Sequence, residues 1–129
     1  MKTKLTFGLV LAAAVLTVAS TGCVAVVAGA AGAGAVAWVE GRLDATLNAD
    51  FERVVKAANL AIKDLQFAKI SEKKDALEAT LLARTAGDRK VDIKVLKATD
   101  QTAKVQIRVD FFGDEALSLT VLDKIKANL

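Results

Sequence analysis

Residues 91–111 read VDIKVLKATDQTAKVQIRVDF, and this stretch decides the fold. Val91, Ile93 and Val95 alternate with Asp92 and Lys94. After Thr99-Asp100-Gln101, Val105, Ile107, Val109 and Phe111 alternate with Lys104, Gln106, Arg108 and Asp110. Successive side chains of a strand point to opposite faces, so a period of two marks a half-buried strand. Two such runs joined by a short polar turn predict an antiparallel pair with one apolar and one charged face.

The same reading extends in both directions. Leu77 to Thr85 predicts another strand, ended by Ala86-Gly87-Asp88, and Phe67 to Lys73 a weaker one before a polar turn at Lys74 and Asp75. Val39 to Leu47 alternates as well, with Gly41, Leu43, Ala45 and Leu47 on one face. Asp50 is placed to cap a helix in which Phe51, Val54, Val55, Ala58, Ala61, Ile62 and Leu65 recur at helical spacing. Gly113-Asp114 opens a last helix, whose Leu117, Val121, Leu122, Ile125 and Leu129 are expected to face inward. The order β-α-β-β-β-β-α predicts an α+β two-layer sandwich: a mostly antiparallel sheet with two helices on one face and the other face wet. A domain of about ninety residues can hold one core without disulfides.

Before this body lies a different kind of sequence. Met1-Lys2-Thr3-Lys4 is positive, and no charged residue occurs from Leu5 to Val39. A basic start, an apolar run from Leu5 to Val18 and the small residues Ala19-Ser20-Thr21-Gly22 form the order of a signal peptide. Gly22-Cys23 resembles the lipobox at which bacterial lipoprotein signal peptidase cuts, although Ser20 stands where that motif prefers an aliphatic residue. Cleavage after Gly22 and lipidation of Cys23, palmitate included, are therefore expected. Several acyl chains on one cysteine hold a protein stably on a membrane, where a single chain binds only marginally. Val24 to Val39, VAVVAGAAGAGAVAWV, reads as an apolar tether ending at an interfacial Trp38, or as a helix-pairing segment of small residues. The expected organisation is a signal peptide over 1–22, a lipid anchor and tether over 23–37, and an α+β domain over 38–129. An uncleaved single-span anchor over Leu5–Val39 is the alternative.

Composition excludes much chemistry. The chain of 129 residues has one cysteine and no histidine, so it has no internal disulfide, no usual zinc site and no histidine-based triad or dyad. The mean hydropathy of +0.38 owes its excess to the leader. Lys and Arg number 18 against 15 Asp and Glu, and removing a leader with Lys2 and Lys4 leaves 16 against 15. Both signs alternate along the body, with none of the basic stripe a nucleic-acid partner requires. No cofactor, metal or catalytic residue is expected, and a small enzyme using carboxylate or lysine chemistry is the competing reading.

The chain resembles the small bacterial lipoproteins grouped as domain of unknown function family 3568. The likeness lies in Cys23 with its VAVVAGAAGAGA tail, in WVEGRLDATLNADFERVV, in EKKDALEATLLARTAGDRKVDIKV and in VQIRVDFFGDEALSLTVLDKIKANL. The resemblance implies a membrane-anchored lipoprotein and carries no activity. By analogy with Gram-negative sorting, Val24 after the cysteine points to the periplasmic face of the outer membrane.

Three groups in the body are candidate sites. Phe111, Phe112 and Trp38 offer a surface to an envelope protein partner; the plainer expectation for Phe111-Phe112 is a strand end packed under the last helix. Lys94, Lys104 and Arg108 project from the open sheet face and read as a solvated surface. Asp44, Asp92 and Asp110 are the carboxylates from which a cation site would have to be built.

Overall fold

The computed structural model of the chain describes residues 26–27 and 33–129. Among them run strands β1 (Val26–Val27), β2 (Ala33–Val39) and β3 (Arg42–Leu47), then helix α1 (Phe51–Asp64). Strands β4 (Ala68–Lys74), β5 (Glu78–Arg84), β6 (Lys90–Lys97) and β7 (Ala103–Val109) follow, and helix α2 (Glu115–Ala127) ends the chain. The strands form one antiparallel sheet in the order β1-β2-β3-β7-β6-β5-β4, with the two-residue β1 at one edge. This is the expected α+β architecture.

Register explains why the core forms. Leu43 lies opposite Ile107, Ile107 opposite Ile93, and Ile93 opposite Leu81, so one row of branched side chains crosses four strands. Ala45, Val105, Val95 and Ala79 make the next row. All eight are buried beneath the helices. Each row removes apolar surface from water at about 25 cal/mol per Å². A one-residue slip would send every one of these side chains to the wet face, which pins the register.

Each helix is fixed at its start by an aspartate. The Asp50 carboxylate accepts from the Arg53 backbone N–H at 2.9 Å, and Asp114 does the same for Leu117 at 2.9 Å. Both satisfy donors that a helix N-terminus leaves without a partner. Helix α1 buries Phe51, Val54, Val55, Ala57, Ala58, Ala61 and Ile62, while α2 buries Ser118, Val121, Leu122 and Ile125. The alanines of α1 let the helices lie close, and Asn128 donates to Asp64 at 2.9 Å between them. Leu129, expected to face inward, is exposed because α2 ends at Ala127.

Two sequence expectations change. The strand read as Val39–Leu47 begins at Arg42, because Glu40 and Gly41 both take positive φ (49° and 77°) and form a two-residue hairpin turn. An added strand, β2, precedes it: Trp38 pairs with Leu43 and Val36 with Ala45. The sheet thus takes Ala33–Val39 from the stretch read as tether, helix-pairing segment or continuous span. The calls on 1–25, including the signal peptide, Gly22 and Cys23, lie outside the described residues, as do residues 28–32 of the Ala/Gly-rich stretch.

At the far edge, β4 is exposed along its whole length and is blunted by charge. Lys69 pairs with Glu72 and donates to Asn59 of α1 at 2.7 Å, and Lys74 pairs with Glu52 above the Phe51 ring. The Lys69 ammonium holds the Glu72 carboxyl below its ordinary pKa, with Asn59 assisting.

Candidate functional site: an aromatic tip at one end of the sheet

Three loops meet at one end of the strands. The first is the Glu40-Gly41 turn, the second the β5–β6 turn over 85–89, and the third the link from β7 to α2 over 110–114. Strand β7 stops at Val109 because Asp110 enters the left-handed region (φ 55°), leaving the alternation that would have carried Phe111 inward. Asp110 is held there from three sides. Its backbone N–H donates to the Lys90 carbonyl at 2.8 Å. Its carboxylate accepts from the Lys90 N–H at 3.1 Å and from Arg89 Nε at 2.7 Å.

Arg89 is the clasp of this cluster. Its second arm donates to Asp114 at 2.8 Å, so one guanidinium joins the loop at its beginning and at its end. Planar forks of this kind fix geometry as well as charge. The Arg89 contact is the main cause that lowers the Asp110 pKa. For Asp114 the first cause is the Leu117 backbone N–H, with Arg89 second.

Backbone packing completes the lock. Gly113 takes φ 82°, and a Cβ placed on it would sit 2.1 Å from the Gly41 carbonyl oxygen. A Cβ on Gly41 would sit 2.6 Å from the Phe112 carbonyl oxygen. Only glycine allows two chains to approach so closely in this conformation. Arg108 adds a hydrogen bond of 3.0 Å to the Glu40 carbonyl.

On this frame Phe111 and Phe112 stand out in solvent, 83% and 87% exposed, with their rings edge-on at 5.2 Å. The expectation of a strand end packed beneath α2 is therefore overturned: the turn at Asp110 lifts both rings away from the core. Trp38 of β2 is half-buried against the core instead, opposite Leu43 of β3, and makes no ring pair with the phenylalanines among the described residues.

The open sheet face carries the other candidates. A shallow depression of about 390 Å³ lies over Arg42, Glu78, Thr80, Asp92, Lys94 and Arg108, and a second of about 360 Å³ runs from Asp92 and Arg108 to Phe111. Several of its charges are paired within the sheet. Lys94 pairs with Glu78 at 3.0 Å, and Asp44 takes Arg42 at 2.7 Å and Lys104 at 3.5 Å. Asp92 lies opposite Arg108 in register, and Asp110 belongs to Arg89. Asp44 and Asp110 are thus engaged by different cations. Among the described residues no group of three or more Cys, Asp or Glu side chains is arranged to hold a metal ion.

The sequence matches the family described as "Protein of unknown function (DUF3568)" over residues 4–128. The chain belongs to this family. No curated protein matches the chain. For this DUF3568 chain, the residues that sequence reading missed are Arg89, Gly41 and Gly113. Glycine after Glu40 was the available signal, since Gly at the second position of a two-residue loop favours a hairpin.

Proposed function

We propose that the chain is an exported bacterial lipoprotein, cut after Gly22 and acylated on Cys23, with a non-catalytic contact module at the periplasmic face of the outer membrane. The leader supports the location, because a basic start, an apolar run and small residues before a cysteine are what export and lipidation require. Among the described residues no helix is long and apolar enough to cross a membrane.

One observation carries the contact role: two phenylalanines are held out of the core by a locked turn. Leaving such rings in water forgoes about 1.5–3 kcal/mol each, relative to burial. A loop that two glycines and an arginine clasp hold in that state is a surface for recognition. The paired charges of the open sheet face favour a solvated exterior over a reaction centre.

Labelling cells with radioactive palmitate tests the location. The wild-type protein is expected to take up label and migrate as the shortened form, while Cys23→Ala is expected to stay unlabelled and uncut. Normal processing and labelling of Cys23→Ala would overturn the proposal.

A further inference from the structure

We infer that the groove on the open sheet face beside Phe111 binds an acidic saccharide, a sugar whose carboxylate or phosphate meets Arg108 and Lys90 while its hydroxyls donate to Asp92. The site is independent of how the chain is anchored and takes one ring of the tip, Phe111, as a wall.

The two depressions of the open face, about 390 Å³ and 360 Å³, share Asp92 and Arg108 and so form one groove across β6 and β7. Register sets the charges around its centre. Asp92 lies opposite Arg108 on β7 and opposite Leu82 on β5. Lys90 and Lys94 stand two residues away on the same face of β6. Asp92 nevertheless has no hydrogen bond or ion pair among the described residues. Arg108 turns one N–H to the Glu40 carbonyl at 3.0 Å, and the Lys90 ammonium has no partner among the described residues. The other carboxylates of the walls are engaged, Glu78 by Lys94 and Asp110 by Arg89. Two uncommitted cations and one uncommitted carboxylate thus stand side by side.

That arrangement selects a ligand. Arg108 and Lys90 call for an acid group, which an arginine fork holds through paired N–H donors. Asp92 repels a plain polyanion, so the ligand has to present a donor beside its acid. An ammonium in that place would meet Lys90, Lys94 and Arg108 around the carboxylate, which leaves an uncharged hydroxyl as the donor. Sugar acids carry hydroxyls on carbons close to the acid group, and Gln106 and Thr80 supply further amide and hydroxyl partners along the groove. The exposed Phe111 ring closes one end with the negative face of its π-system, a platform for the C–H face of a sugar ring. Glu40, Asp88 and Glu115, the exposed carboxylates of the tip loops, line neither depression. They oppose a broad anionic surface but do not enter the groove in which a short ligand lies.

Amide NMR shifts of the full chain, isotope-labelled and held in an uncharged detergent, test this. The probes are trigalacturonate, glucose 6-phosphate, neutral maltotriose and N-acetylated triglutamate. At least one of the two sugar acids is expected to shift the amides of Lys90, Asp92, Gln106 and Arg108 saturably, with Kd on the order of 1 mM, and the tighter of them names the acid group. Maltotriose and the triglutamate are expected to bind at least about tenfold more weakly. Asp92→Asn separates hydroxyl recognition from simple charge. It is expected to weaken the sugar acid about tenfold and to strengthen the triglutamate, while Arg108→Gln weakens both. Both side chains lie on the face away from the core, and thermal melting verifies that each variant folds; the wild-type titrations decide for any variant that does not. Triglutamate binding as tight as the sugar acids would assign the groove to an acidic peptide and overturn the inference. Equal binding of maltotriose, tighter binding of a sugar acid by Asp92→Asn, or no saturable shift from either sugar acid up to about 20 mM would overturn it too.

Discussion

Ser118 stands out at the residue scale, fully buried on α2 with a hydroxyl that finds no hydrogen-bond partner. A buried polar group left unpaired costs about 1–3 kcal/mol, and alanine is also the better helix former. Ser118→Ala is therefore expected to raise stability by about 1 kcal/mol, offset in part by the small void it leaves. Thermal denaturation would register this as a rise of roughly 4–8 °C for a domain of this size. Arg89 makes the opposite kind of contribution. Asp110 and Asp114 both titrate below the ordinary carboxylate range, so their stabilising effect is complete above about pH 3.9 and is lost as pH falls through the lowered values. Arg89→Gln is expected to narrow this acid-side loss, more for Asp110 than for Asp114, whose cap to Leu117 survives. Melting temperatures of the two proteins across the acid range measure it; parallel curves would refute the clasp.

At the scale of elements, legibility followed contrast. Strands β3, β5, β6 and β7 bury one face and wet the other, and their alternation was readable because most outward positions are polar, among them Asp44, Thr46, Thr80, Asp92, Lys94, Lys104, Gln106 and Arg108. Helix α1 was equally plain, since Asp50 and the Phe51-to-Ile62 stripe agree. Strand β2 was not legible: AGAVAWV has no polar face to set a period, and alanine and glycine are poor strand formers. The hairpin at Glu40-Gly41 was hidden in the same way, because the alternation of β3 ran back through it without a break. The tip was half-readable. Its phenylalanines drew notice, yet their exposure depends on the left-handed Asp110 and on a glycine contact with a turn some seventy residues earlier, about which local sequence is silent. That contact makes a prediction at this scale. Gly113→Ala, which forces a side chain onto the Gly41 carbonyl at positive φ, is expected to cost about 2–3 kcal/mol in urea denaturation. Gly87→Ala, whose added carbon would meet Thr85 at an ordinary 3.7 Å, is expected to change little.

The whole molecule divides its labour between sequence and shape. The helix-covered side of the sheet supplies stability through uninterrupted rows of Leu, Ile, Val and Ala. The opposite side is a mosaic of both charge signs, several of them in ion pairs. The locked loops and the two displayed aromatic rings lie at one end of the sheet, while the proposed site of lipid attachment is Cys23. Everything about location depends on covalent lipid at that residue. Intact mass measurement of the protein extracted from bacterial membranes is the most direct examination. The expected species begins at Cys23 and carries a diacylglyceryl group with a further acyl chain; a species retaining residues 1–22, or beginning at Cys23 with a free thiol, would contradict the account.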